Sequence, residues 1–239
     1  MRLLAFINHS TQITDEHIAA MAEACTFQLV QHVCTPWGKP STFCFARRID
    51  DVYGLDWVPR LVFFDAADQA SVLGYHTVGP DGVPYGKVFV DEVFRYGGGI
   101  LRDNGSGAVS ITASHEAAET VGDELVDQWV KGPAVPEGDE YAVELSDQVQ
   151  ACSYEVPTKR AGLVSVSNFI YPAALGLKSP THTKHPFDYL GKLSAPFSVA
   201  PGGYQIVRNA AGHVSNVFGC SRFTPHEASR QARRQGAQQ

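Results

Sequence analysis

Two hydrophobic periods run along the chain, and the switches between them mark out its elements. Leu3 to Asn8 is a short apolar run ending in His9-Ser10-Thr11, which reads as a strand and a turn. Thr14 then N-caps a helix whose first turn carries Asp15 and Glu16. Ile18, Met21, Ala22, Cys25, Leu29 and His32 follow at helical spacing to about Cys34, where Pro36 stops the pattern. Ser41 to Ala46 predicts a second strand. Leu61-Val62-Phe63-Phe64, between Pro59 and Asp65, predicts a strand covered on both faces. Gly74-Tyr75-His76-Thr77 is short and flanked by turns. From Tyr85 to Val93 the pattern alternates, with Val88 and Val90 opposite Lys87, Phe89 and Asp91, as in a strand covered on one side.

Glycines punctuate 97–107, and a second helix follows over Ser110 to Asp123, with Ala113, Ala117, Ala118 and Val121 as its apolar positions. The glycine loop lacks the lysine of a phosphate-binding loop. After the acidic stretch Asp123, Glu124, Asp127, the Pro/Gly-rich segment Lys131 to Gly138 marks a subdomain boundary, dividing the chain into 1–130 and 131–239. Order resumes at Tyr141 to Asp147. The remainder reads as β-rich and irregular: Leu163 to Tyr171 as a strand, and Tyr204 to Arg208 with His213 to Phe218 as a hairpin around Asn209-Ala210-Ala211-Gly212. His182, His185, Asp188 and Tyr189 fall in a Pro-rich loop, and Pro225 to Gln239 is a polar tail with Arg230, Arg233 and Arg234.

Composition narrows the function classes. A 239-residue chain with 44% apolar residues supports a globular core, and its net charge of −6 offers no broad basic surface for nucleic acid. The five cysteines form no C-x-x-C pair, so reduced, mostly buried thiols in a cytoplasm-like compartment are expected. The apolar start, Leu3 to Ile7, is too short for a signal peptide or a membrane span.

The chemistry concentrates in the second helix, which reads His115-Glu116-x-x-Glu119. Residues four apart share a helix face, so His115 and Glu119 point into one space, with Glu116 turned by about 100°. This is the geometry of the H-E-x-x-H zinc helix with a carboxylate replacing its second histidine. Imidazole and carboxylate both bind divalent metals, so a zinc site survives the replacement, another divalent cation being an alternative. The apolar neighbours place these charges in a buried cleft, where carboxylates need a cation or hydrogen-bond donors.

The order of elements resembles the upper half of the zincin metallopeptidase fold, in which an edge strand, here Tyr85 to Val93, lines the cleft and pairs with an extended peptide. Gly74-Tyr75-His76, YGKVFVDEV (85–93), SITASHEAAETVGD (110–123), YAVELSDQVQ (141–150), VSVSNFIYP (164–172), HPFDYLGKLSAPF (185–197) and PGGYQIVR (201–208) together resemble a zincin-like family of tailed-phage and bacterial genomes, described as hypothetical or virion-associated proteins. The resemblance implies an α+β, zincin-like fold: a mixed twisted sheet with a long helix and a metal-motif helix, then a smaller β-rich C-terminal subdomain that supplies the third ligand.

By that resemblance Glu144 is the third ligand beside His115 and Glu119. Asp147 orients His115 through its other ring nitrogen, and Asp123 is the rival ligand. Glu116 is the general base on a metal-bound water, with Tyr154, Tyr189 or His185 steadying an oxyanion. A donor set with two carboxylates weakens the metal's power to acidify water. The implied function is therefore a structural virion protein, made in the host cytoplasm, that keeps a metal-binding fold with weak or lost peptidase activity. It would contact other virion proteins or its own copies through the tail. The alternative is a cytoplasmic, active zinc metallopeptidase acting on peptides, with neither nucleic acid nor membrane as partner.

Overall fold

The computed structural model describes residues 1–48, 57–133, 138–178 and 184–219. The polar tail, His182, Cys220 and the centre of the segment Lys131 to Gly138 lie outside the described residues. The architecture is mixed α+β, with three sheets among the described residues.

Strand β1 (Arg2–Asn8) lies between β2 (Thr42–Arg48) and β3 (Arg60–Phe64), parallel to both, and helix α1 (Asp15–Gln28) makes the crossover from β1 to β2. Strand β4 (Gly74–Val78) runs antiparallel at one edge, and β5 (Pro84–Phe89) returns between it and β3, giving the order β2-β1-β3-β5-β4. Side-chain alternation splits the sheet's contents. Leu4, Phe6, Leu61, Phe63 and Val88 enter the main core with the helices, while Ala5, Ile7 and Val62 form a small cluster on the opposite face.

Helix α1 starts where its cap predicts. Thr14 Oγ1 accepts the His17 N–H and the Thr14 N–H donates to His17 Nδ1, a reciprocal cap that gives His17 a structural role. The helical pattern expected to reach Cys34 continues past α1 as a π-helical turn, Leu29–Val33. The four cysteines among the described residues are free thiols, and burial raises the pKa of Cys25.

The segment Tyr85 to Val93 departs from expectation twice. It is not one strand: β5 ends at Phe89 and helix α2 (Val90–Arg95) takes over. Val90 and Val93 are buried three apart, so helical spacing wins over the alternation read through Val88 and Val90, and Asp91 and Glu92 occupy the first helical turn. Nor is it the edge, because β5 is paired on both sides and β4 takes the outer position.

Helix α3 (Val109–Gly122) packs under the sheet near that edge. Ser110 Oγ donates to the Ser165 carbonyl at 2.7 Å, and Ser114 Oγ accepts the Ser167 N–H at 2.7 Å. The second half adds β6 (Trp129–Lys131), β7 (Glu140–Ala142), a hairpin of β8 (Ser153–Thr158) and β9 (Gly162–Ser167), then β10 (Tyr204–Arg208) and β11 (Val214–Phe218), which join β6 and β7 in an antiparallel sheet of order β11-β10-β7-β6. The boundary expected at 130/131 falls inside β6. The main core is continuous from the five-stranded sheet through α1 and α3 to Val143, Leu145, Val149 and Phe169.

Candidate metal centre

Three segments meet beside α3. The helix presents His115, Glu116 and Glu119 on adjoining faces, as the H-E-x-x-E spacing predicts. Edge strand β4 presents His76, paired in register with Gly86. The chain after β7 presents Glu144 and, at the start of a 3₁₀ turn (Asp147–Val149), Asp147. All six side chains are buried, none more than 6% exposed as a residue.

Two glycines permit this convergence. A Cβ on Gly74 would meet Thr112 Cγ2 at 2.7 Å, the Lys87 carbonyl at 2.9 Å and Glu116 Oε1 at 3.0 Å, so only a bare backbone lets α3 approach β4 so closely. At the other end of α3, a Cβ on Gly122 would overlap the Leu145 side chain. Leu145 is fully buried there, and its carbonyl accepts the Ile170 N–H at 2.7 Å. Seating Leu145 against α3 brings its neighbours Glu144 and Asp147 within reach of the helix.

Nε2 of His115 lies 3.0 Å from Glu119 Oε1 and 3.1 Å from Asp147 Oδ1. Nδ1 of His76 lies 3.3 Å from Glu119 Oε2 and 3.9 Å from Glu116 Oε2, and its Nε2 lies 3.9 Å from Glu144 Oε2. Burial pushes the His76 pKa down, but Glu144, Glu119 and Glu116 outweigh it and hold the pKa above the ordinary histidine value.

These groups could hold a metal ion. One set of donor atoms from His115, Glu119 and Asp147, and another from His76, Glu116 and Glu119, each lie within 4.8 Å of one another. Donors on opposite sides of one zinc-sized ion are about 4 Å apart, so small side-chain movements close either set on a cation. Chemistry points the same way. Four carboxylates in one buried space cost several kcal/mol each in desolvation unless positive charge compensates them, and a divalent cation does so compactly.

The geometry sorts the residues singled out from sequence. His115, Glu116, Glu119, Glu144 and Asp147 are brought together. Asp147 faces the same ring nitrogen as Glu119, where it had been expected on the other one, and Glu144 sits nearest His76. Asp123 serves the chain turn: its carboxylate accepts the backbone N–H groups of Asp127 and Gln128 at 3.1 Å each. Tyr154 and Tyr189 are stacked on each other at 4.5 Å and hydrogen-bond or pack with His32, and His185 packs over Gly191. None of these three belongs to the two donor sets. Sequence reasoning missed His76 as a donor; its only signal was a histidine in a five-residue strand opened by Gly74.

A cleft of about 490 Å³ reaches His115 from outside. Its lining includes Leu73, Ile111, Thr112 and the run Gln150 to Ser153. No helix among the described residues is long and apolar enough to cross a membrane. No family model, curated protein or solved structure matches the chain.

Proposed function

We propose that the chain is a divalent-metal protein of zincin-like build, with zinc held by His115, Glu119 and Asp147, whose site can hydrolyse an extended peptide at a reduced rate. The observation that carries this reading is the meeting of Glu119 Oε1 and Asp147 Oδ1 at the same His115 nitrogen, 3.0 and 3.1 Å away, on a histidine that lines a cleft. The antiparallel edge strand supports it, because β4 is the outer strand of its sheet among the described residues and an outer strand can take a peptide as an added strand.

Each residue has work in such a reaction. The bound zinc would supply Lewis acidity toward water and a carbonyl oxygen. Glu116 adjoins the ligands in sequence and would take and return the proton. Its Oε1 rests near Gly74 on the strand where a peptide would lie. Two carboxylate ligands temper the metal's acidity, which argues for slow turnover.

A second reading has its own support. The donors come from β4, from α3 and from the segment after β7, so a bound ion would staple the two halves of the chain. In this reading the site stabilises a structural protein, and a place in a phage particle, with contacts to other virion proteins or to its own copies, rests on the sequence resemblance. One experiment separates the two. Purify the chain without chelator, measure metal per chain, and compare cleavage of an unfolded protein substrate by wild type and Glu116→Gln. Turnover that disappears in Glu116→Gln while the His115 ion stays bound supports the hydrolase. Bound metal without Glu116-dependent turnover leaves the staple, and absence of metal rejects both.

A further inference from the structure

We infer that the buried cluster is a binuclear divalent-cation site bridged by Glu119: one ion held with His115 and Asp147, the other with Nδ1 of His76 and Glu116, while Glu144 faces the opposite nitrogen of the His76 ring. The inference rests on the metal reading above and deepens it, and it reassigns Glu116 from proton carrier to ligand.

The bridge is visible in the two oxygens of Glu119. Oε1 faces His115 Nε2 at 3.0 Å and Oε2 faces His76 Nδ1 at 3.3 Å. Glu119 is also the one residue common to both donor sets. A carboxylate whose oxygens address two different imidazoles has the form of a bridging ligand, and paired metal ions in hydrolytic sites sit about 3.5–4 Å apart, a separation one carboxylate spans.

His76 is the independent sign of a second ligand-binding position. Its side chain is 2% exposed, yet among the described residues neither ring nitrogen has a hydrogen-bond partner of good geometry. The carboxylate oxygens around it stand off at 3.3 to 3.9 Å. A nitrogen and an oxygen bound to one ion, each at about 2.0–2.2 Å, are about 3–4 Å apart. The ring is therefore surrounded at ligand spacing. Gly74 fixes the remaining donor: Glu116 Oε1 rests near its backbone, which leaves Oε2 directed at His76.

Charge balance favours two ions over one. Glu116, Glu119, Glu144 and Asp147 bring four negative charges into a space where none is more than 4% exposed. Two divalent cations carry as much positive charge as four carboxylates carry negative, and one carries half of it. The rival occupant of the second position is a proton on His76, which supplies a single positive charge.

The test is a metal count on the full chain. Load the protein with zinc, dialyse to metal-free buffer, and measure zinc per chain in wild type, His76→Ala and His115→Ala, with circular dichroism to confirm folding. Two ions in wild type and one in each variant support the bridge. One ion in wild type that is unchanged in His76→Ala overturns it while leaving the metal reading intact. No ion in wild type removes both. Should a variant fail to fold, wild type loaded with manganese decides by electron paramagnetic resonance: a spin-coupled spectrum supports paired ions, and the pattern of isolated ions overturns them.

Discussion

Two histidines, the buried His76 beside α3 and the half-buried His32 in the π-helical turn after α1, sit in surroundings that push them in opposite directions. His32 lies among rings: stacked on Tyr189 at 4.6 Å, edge-on to Phe27 at 5.4 Å, and hydrogen-bonded through Nδ1 to the Tyr154 hydroxyl at 2.9 Å. Burial lowers its pKa. His76 is also desolvated, but three carboxylates around it reverse the outcome. The contrast separates a histidine that packs from one that could serve a site. Burial removes charge from an imidazole, which suits packing and a single hydrogen bond; a ring that stays polar inside the protein needs anions arranged about it, and that arrangement also suits a cation.

The largest effect that would break this comparison comes from Glu119. Glu119→Gln keeps the size of the side chain and removes the charge shared by both donor sets. Metal affinity should fall by on the order of 100-fold or more, since even residues that only orient ligands are worth about 10–100-fold. His32→Phe should leave metal content unchanged. Isothermal titration with zinc checks both variants, and equal losses in the two would erase the distinction between the clusters.

Gly122→Ala should have an intermediate effect. The new methyl overlaps Leu145, whose seat against α3 positions Glu144 and Asp147. Overpacking of this kind costs about 1–3 kcal/mol. Urea unfolding should report that loss, and zinc affinity should drop with it because Asp147 moves relative to His115. Unfolding changes without any change in affinity would show that Leu145 does not set the ligand geometry.

How much of this was legible in the sequence follows the range of the forces involved. Local rules found α3, the Thr14 cap and the hairpin, where Asn209 Oδ1 accepts the N–H groups of Ala211 and His213 as its turn demands. The H-E-x-x-E spacing put His115 and Glu119 on one face for the same reason. His76 was illegible because its role depends on β5 returning inside β4, a choice of strand order that no local pattern encodes. Asp147 was seen but expected on the other ring nitrogen, since no local pattern says which nitrogen a residue 32 positions away will meet. The aromatic cluster was misread for a related reason: Tyr154 and Tyr189 are 35 positions apart in sequence, and only the tertiary fold stacks them on each other and on His32.

The smallest expected effect sharpens the contrast through pH. His32 has a folded pKa below the 6.5 of a free histidine, so the unfolded chain takes up its proton first as pH falls. The stability contributed by neutral His32 is complete above about pH 6.5 and declines as pH drops through that value toward the lowered one. His32→Phe keeps an aromatic ring in the stack with Tyr189 and removes the titration. Urea unfolding at about pH 7.5 and about pH 5.5 should therefore show a smaller acid-induced loss in His32→Phe than in wild type. Groups elsewhere titrate alike in both proteins, so the difference between the two losses reports His32 alone. Equal losses would mean that the ring cluster tolerates a charged imidazole, and that burial among aromatics is not what separates His32 from His76.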